Sequence, residues 1–436
     1  MRFMAKRNTD ALTKTCIILT ITGIIMIISS VLLIIKKNND NEVIKDKTII
    51  KVWALHGDIA DSLTKVTDNY TKQNPNIVFE ISLFKNDVYK SVIREAIITN
   101  EAPDIFYVWG DGFLKEFVDL EAVKDINDMC IEENVYSNIN INSLRSFTFN
   151  DKVYGIPLFG WRLMLFANEE LFINNNIKIP ENYEEFVQAI KDFKNLEITP
   201  LSVGSKEPWT LSLYYMMLAL NNVGIDGIKE ALSDNSKFAN EGFLKAAEEF
   251  KELCDINAFS EDKLELESYN SDFYFSEKNA AMLLNGTWVI PQLEKKFKSD
   301  NDIGEIGIKV IDFSSFVGKE EGIGGYVDGF VINRNSDKLD VISDLYVKIV
   351  KEVSDEYIRE ANGGIPVWND QNVNSENSPL LYDIVNNYDT NAYHGAYDQE
   401  LPYWLSKIHL ESIQLLFNGQ ITPEEFINRH ITSKQF

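Results

Sequence analysis

Cysteine, histidine and basic charge are all scarce in this chain, and each shortage excludes a kind of chemistry. Its 436 residues hold three cysteines, Cys16, Cys130 and Cys254, at spacings that match neither a zinc site nor a redox pair. The four histidines, His56, His394, His409 and His430, are widely scattered, so no metal centre is expected and no cofactor is implied. Lys and Arg number 42 against 67 Asp and Glu, a formal charge of −25. Nucleic acids and anionic lipid surfaces are held by clustered Lys and Arg, so nucleic acid is excluded as a partner. The nucleophile and metalloprotease motifs GxSxG and HExxH are missing too, and no enzymatic activity is expected.

One long apolar run is present, and it sets the compartment. Residues 16–35, CIILTITGIIMIISSVLLII, carry no charge and are long enough, at ~1.5 Å per residue, to cross a ~30 Å hydrocarbon core. Arg2, Lys6, Arg7 and Lys14 precede the run and only Lys36 and Lys37 follow it, which places residues 1–15 in the cytoplasm and the rest outside. No small-residue cleavage site closes the run, and Cys16 stands at its start rather than its end, so an uncleaved signal anchor is expected rather than a cleaved peptide or a lipid anchor. Residues 36–47 read as a polar tether. The predicted location is the cell membrane, single-pass, with an acidic folded body outside.

That body reads as α/β. Strand-length apolar runs at Ile49–Leu55, Ile77–Leu83 and Asp104–Val108 alternate with helical patterns at Ile59–Tyr70 and around Val88–Ile97, the form of parallel βαβ units. Further helices are predicted over Leu211–Asn221 and Glu241–Leu253, and strands over Ala280–Leu284 and Val327–Asn333. Asn182 with Glu185, and Thr422 with Glu425, have the spacing of helix caps. The length suits two lobes, and without an internal linker the chain must cross between them more than once. Ligands of α/β folds sit beyond the carboxyl ends of strands and in clefts between lobes.

The loops at those strand ends are rich in aromatics and polar groups. His56-Gly57-Asp58 follows the first strand, where Asp58 could equally cap the next helix. Trp109-Gly110-Asp111-Gly112 follows the third. Trp161-Arg162 offers a stacking ring beside a hydrogen-bond donor, although core packing of Trp161 is as good a reading. Trp288, in Asn285-Gly286-Thr287-Trp288, ends another strand. Sugars present flat C–H patches ringed by hydroxyls and call for this mixture of aromatic platforms, carboxylates and Arg. Trp209, Trp368, Tyr403 and Trp404 could contribute or could be core.

In order and spacing these segments resemble the family 1 extracellular solute-binding proteins of ABC importers, which include maltose-binding and other oligosaccharide-binding proteins. The resemblance runs from about residue 47 onward and is carried by IIKVWALHGD, APDIFYVWGDGF, DKVYGIPL, LMLFANEELF, KNAAMLLNGTWVIPQL, GGYVDGFVINRNS and NGGIPVW. It implies a two-lobed periplasmic-binding-protein-like fold of type II with an interlobe cleft. One lobe would take residues 48–160 and about 325–375, the other residues 161–324 and about 376–436. Carried over by position, the cleft residues are His56, Asp58, Trp109, Asp111, Trp161, Arg162, Trp288, Gly325 and Tyr326. The implied protein is a monomeric receptor of a Gram-positive bacterium that delivers a carbohydrate to an ABC permease and its ATPase. Gly112 stands where maltose-specific members carry Arg, and Trp161-Arg162 where they carry a carboxylate and a small residue, so maltodextrin is not the expected ligand. A peptide or cationic metabolite, a secreted glycoside hydrolase and an adhesin remain open alternatives.

Overall fold

A computed structural model describes residues 47–259, 266–300, 307–317, 322–361, 363–388 and 393–433. The expected anchor at residues 16–35 lies outside them, and among the described residues no helix is long and apolar enough to cross a membrane. Among the described residues, packing sets 47–50 with Asp68–Glu80 in one unit and Lys51–Thr67 with the described residues from Ile81 onward in another. In the first, Thr48 donates to the Asn76 carbonyl at 2.8 Å, and Tyr70 packs its ring edge-on to Phe79 at 5.9 Å.

The strands are β1 (Thr48–Leu55), β2 (Ile77–Phe84), β3 (Ile105–Trp109), β4 (Gly155–Asn168), β5 (Thr199–Ser202), β6 (Ala280–Gly286), β7 (Ile308–Ile311) and β8 (Gly322–Ile332). The helices include α1 (Asp58–Gln73), α2 (Asn86–Ile98), α3 (Asp111–Asp119), α4 (Tyr183–Asn195), α5 (Pro208–Ser233) and α6 (Glu241–Asp255). They are followed by α7 (Ser268–Ser276), α8 (Ile290–Asp300), α9 (Leu339–Glu356), α10 (Tyr403–Phe417) and α11 (Pro423–Thr432). The main sheet runs β2-β1-β3-β8-β4-β6-β5, with β7 on β4 and a short strand at Tyr393–His394 on β8.

The expected α/β class is observed, but the sheet is mixed rather than parallel. β1 and β3 are parallel, whereas β8 is antiparallel to both β3 and β4 and β4 is antiparallel to β6. All fourteen residues of β4 and all eleven of β8 are buried. A strand covered on both faces shows no alternation, so its direction leaves no mark in the sequence. β4 also changes neighbours along its length: Gly155–Arg162 runs beside β8, and Leu163–Asn168 runs between β6 and β7.

Local capping chemistry was legible in advance. The Asn182 side chain accepts from the Glu185 amide at the start of α4, and Thr422 and Glu425 form a reciprocal capping box at α11, worth about 1 kcal/mol. Gly224, at φ 68°, kinks α5. Cys130 and Cys254 are both buried thiols.

The last two helices are tied to α5 by a buried hydrogen-bond chain. His430 Nδ1 lies 2.8 Å from the Phe426 carbonyl, which can only accept, so the proton is on Nδ1 and Nε2 is an acceptor. His409 Nδ1 donates to that Nε2 at 3.0 Å, and the Ser212 hydroxyl donates to His409 Nε2 at 2.7 Å. Burial holds both imidazoles below their ordinary value, His409 with added repulsion from His430, and His430 at about 4. The chain requires neutral rings, so its stabilisation is complete above about pH 6.5 and is lost as pH falls toward about 4. Denaturant titrations between pH 7.5 and 4.5 are expected to show a loss of about 2–3 kcal/mol attributable to His430, and His430→Gln is expected to flatten that part of the profile.

Candidate functional site

A cavity of about 790 Å³ opens at the carboxyl ends of β1, β3 and β6. Its first wall is the turn after β1. The His56 amide donates to the Phe84 carbonyl at 2.9 Å, and Gly57 follows at φ +114°, a backbone conformation that an L side chain rarely adopts. The turn exposes His56 and Asp58 to the cavity. Burial raises the Asp58 carboxyl and repulsion from Asp61 adds to this, while Lys295 opposes both.

The floor comes from a β-bulge in β8. The register slips between Gly325 and Asp328 and again at Gly329, which sets Asp328 opposite Trp109 on β3 and Phe159 on β4. Asp328 accepts hydrogen bonds from the Tyr107 hydroxyl and from the Trp161 side chain. Burial pushes its carboxyl up to about 7, against the pull of those donors and of Lys90. Lys90 sits 4.6 Å from the centre of a Trp109 ring and pairs with Asp398 at 2.6 Å.

Another part of the lining is aromatic. Trp161 is 1% exposed and meets Trp288 at 4.8 Å with the rings 65° apart. Trp288 in turn meets Trp209 at 6.2 Å and 62°. Trp209 and Trp288 are both half-buried. The Trp209 indole donates to Glu207 at 3.2 Å, which fixes that ring at the start of α5. The strand-to-helix turn Gly286–Ile290 aims Trp288, and Gly286 makes the turn possible: a Cβ there would stand 2.1 Å from the Trp288 ring.

Polar groups ring the rest. Asp272 on α7 accepts from the Asn285 amide at 2.7 Å, yet burial, with repulsion from Glu207 added, pushes it up to about 8. Gln292 and Lys295 reach the cavity from α8. Asn86 Oδ1, Gln292 Nε2 and Gln399 Oε1 are buried with no hydrogen-bond partner, and all three residues line the cavity. A ligand that donates and accepts would satisfy them. Among the described residues no group of three or more His, Cys, Asp or Glu could hold a metal ion.

The structure thus brings together five of the sequence-derived candidates, His56, Asp58, Trp109, Trp161 and Trp288. It places four elsewhere. Arg162 is 1% exposed and pairs with buried Asp312, so its guanidinium is committed to the core. Asp111, at φ 53°, opens α3 and is held by Ser146, near Arg145 and Glu400. Gly325 lies opposite Trp161 in the bulge. Tyr326 is buried against Gly160 and accepts from Asn140 at 3.4 Å. Asp272, Asp328, Glu207 and Tyr357 line the cavity without having been singled out. Gln292 and Lys295 were discoverable, since they follow Trp288 at helical spacing.

The sequence profile of the bacterial extracellular solute-binding proteins matches residues 56–352, and the chain belongs to that family. Membership places the folded body outside the cytoplasm. The chain is similar to the multiple sugar-binding protein of Streptococcus mutans, with 21% identity over 291 residues, 63% of this chain and 66% of that one. Among solved structures, one from work on xylan utilization by Caldanaerobius polysaccharolyticus superposes with a TM-score of 0.80 at 31% identity, covering 88% of this chain and 99% of that chain. A chitin oligosaccharide binding protein superposes with a TM-score of 0.76 at 20% identity, over 88% and 98% of the two chains, a likeness of fold.

Two substitutions test this geometry. Gly286→Ala is expected to turn the Trp288 ring, changing near-UV circular dichroism and tryptophan fluorescence at a stability cost of about 1–3 kcal/mol. Asp312→Ala leaves the Arg162 charge buried beside an empty place and is expected to cost about 3–5 kcal/mol in denaturant unfolding.

Proposed function

We propose that this protein is the membrane-tethered receptor of an ABC importer and that its ligand is an oligosaccharide. The observation that carries the reading is the corner formed by half-buried Trp209 and Trp288 beside a rim of carboxylates, amides and Lys295. Tryptophan faces match the C–H patches of a sugar ring, and the rim matches its hydroxyls. The cavity is at the upper end of the ~300–1,000 Å³ usual for small-molecule sites, which favours several sugar units over one. The names of the relatives point the same way, with xylan- and chitin-derived oligosaccharides the first ligands to try.

The surplus of acids in the cavity would also suit a cation. Asp272 at about 8 keeps its proton at neutral pH and Asp328 at about 7 is partly protonated, so the cavity is less negative than its formula. A protonated carboxyl can both donate and accept, as sugar hydroxyls do. In the proposed mechanism residues 48–160 with about 325–375 form one lobe and residues 161–324 with about 376–436 the other. Ligand bound between them shifts an open–closed equilibrium toward closure, and the closed form docks on the permease, whose ATPase supplies the work. The apolar run at 16–35 keeps the receptor near that permease.

Titration calorimetry of the full chain, in a detergent without a sugar headgroup, against xylo- and chito-oligosaccharides is expected to give saturable binding without product formation. Trp288→Ala is expected to lose at least ~1 kcal/mol of binding with an unchanged far-UV spectrum. Binding of a polyamine or peptide control in place of sugars would overturn the ligand assignment, and released sugar products would make the protein a hydrolase.

A further inference from the structure

Helix α7 is built inside out. Its buried positions are Ser271, Asp272, Phe275 and Ser276, while Tyr269 and Phe273 are 68% and 51% exposed. Polar groups facing inward are explained by the cavity and by local bonds: Asp272 lines the cavity and holds Asn285, and Ser271 and Ser276 bond backbone carbonyls of their own helix. The aromatics facing outward are not explained by packing. Single exposed apolar residues are ordinary, but these two stand four apart, one above the other on one helix face.

We infer that Tyr269 and Phe273 form an aromatic rail that carries the cavity onto the surface of α7 and binds sugar units of a chain too long for the cavity. Tyr269 lines the cavity and is also exposed, so the rail starts where the enclosed site ends. Phe273 continues it by one helical turn, about 5–6 Å. Glu267 and Ser268, at the same edge, supply hydrogen-bonding groups for hydroxyls of the emerging chain. Exposed aromatic faces held on a helix suit the flat C–H faces of successive sugar units and lose little side-chain freedom on binding. The rail gives the receptor a preference for longer oligosaccharides over disaccharides, beyond what the tryptophan corner provides.

This inference rests on the carbohydrate reading, and the test separates the two. The full chain and Phe273→Ala are titrated with xylo- and chito-oligosaccharides of two to six units. The expected result is that the variant binds the six-unit sugar about fivefold more weakly than wild type, while affinity for the shortest sugar that binds stays within about twofold. Phe273 is exposed, so an unchanged melting temperature is expected to accompany the loss. Equal affinity of variant and wild type for every length would overturn the rail and leave the carbohydrate reading standing. A uniform loss at all lengths would also overturn it, placing Phe273 in support of the cavity itself. Absence of sugar binding by wild type would overturn the carbohydrate reading and the rail together.

Discussion

The antiparallel pairing of β4 with β8 is the constraint on which the site depends. Both strands are buried along their whole length, so neither can shift by one residue without turning its side chains to the wrong face. Within that rigid pairing the bulge between Gly325 and Gly329 displaces one carboxyl, Asp328, into line with Trp109 and Phe159. Gly324 makes room for the crossing, since a Cβ there would stand 2.2 Å from the Trp161 carbonyl. The next residues of β4 leave β8 for β6, whose carboxyl end delivers Trp288. The floor and the aromatic wall of the cavity are therefore set by one pair of strands.

Burial then governs the chemistry of the acids. Asp272 and Asp328 each have hydrogen-bond donors, which favour the charged form, yet both are raised because removal from water outweighs those bonds. Arg162 is buried to the same degree but keeps a carboxylate partner in Asp312, the arrangement under which a buried charge is tolerable. Among the cavity acids, Asp398 holds Lys90 and Glu267 holds Lys206, whereas Asp272 and Asp328 form no ion pair among the described residues. Asp272 therefore keeps its proton at neutral pH and Asp328 is partly protonated, which lowers the negative charge of this part of the wall.

Much of this was legible in the sequence, and the failures have physical causes. The β1, β2 and β3 segments, the caps at Asn182 and Thr422, and the family membership followed from periodicity, spacing and motif order. Trp288 and His56 could be placed because each ends a strand and precedes a helix. Arg162 could not, because a residue beside Trp161 in a β-strand points to the opposite face, and nothing local says which face is the core. Asp328 was passed over within GGYVDGFV because its position depends on a bulge, a property of two paired strands rather than of either alone. Glu207 and Asp272 come from separate helices that meet only in three dimensions.

Division of labour within the tryptophan wall follows from exposure. Trp161, at 1% exposed, is committed mainly to its neighbours: its indole donates to Asp328 and its ring meets Trp288 edge-to-face. An edge-to-face contact of this kind contributes about 0.5–1.5 kcal/mol beyond burial, enough to hold the half-exposed Trp288 ring in one orientation before any ligand arrives. Glu207 does the same for Trp209 through a single hydrogen bond. A ring already fixed has little freedom left to lose on contact with a ligand. The buried tryptophan thus bears on the cavity through its half-buried neighbour.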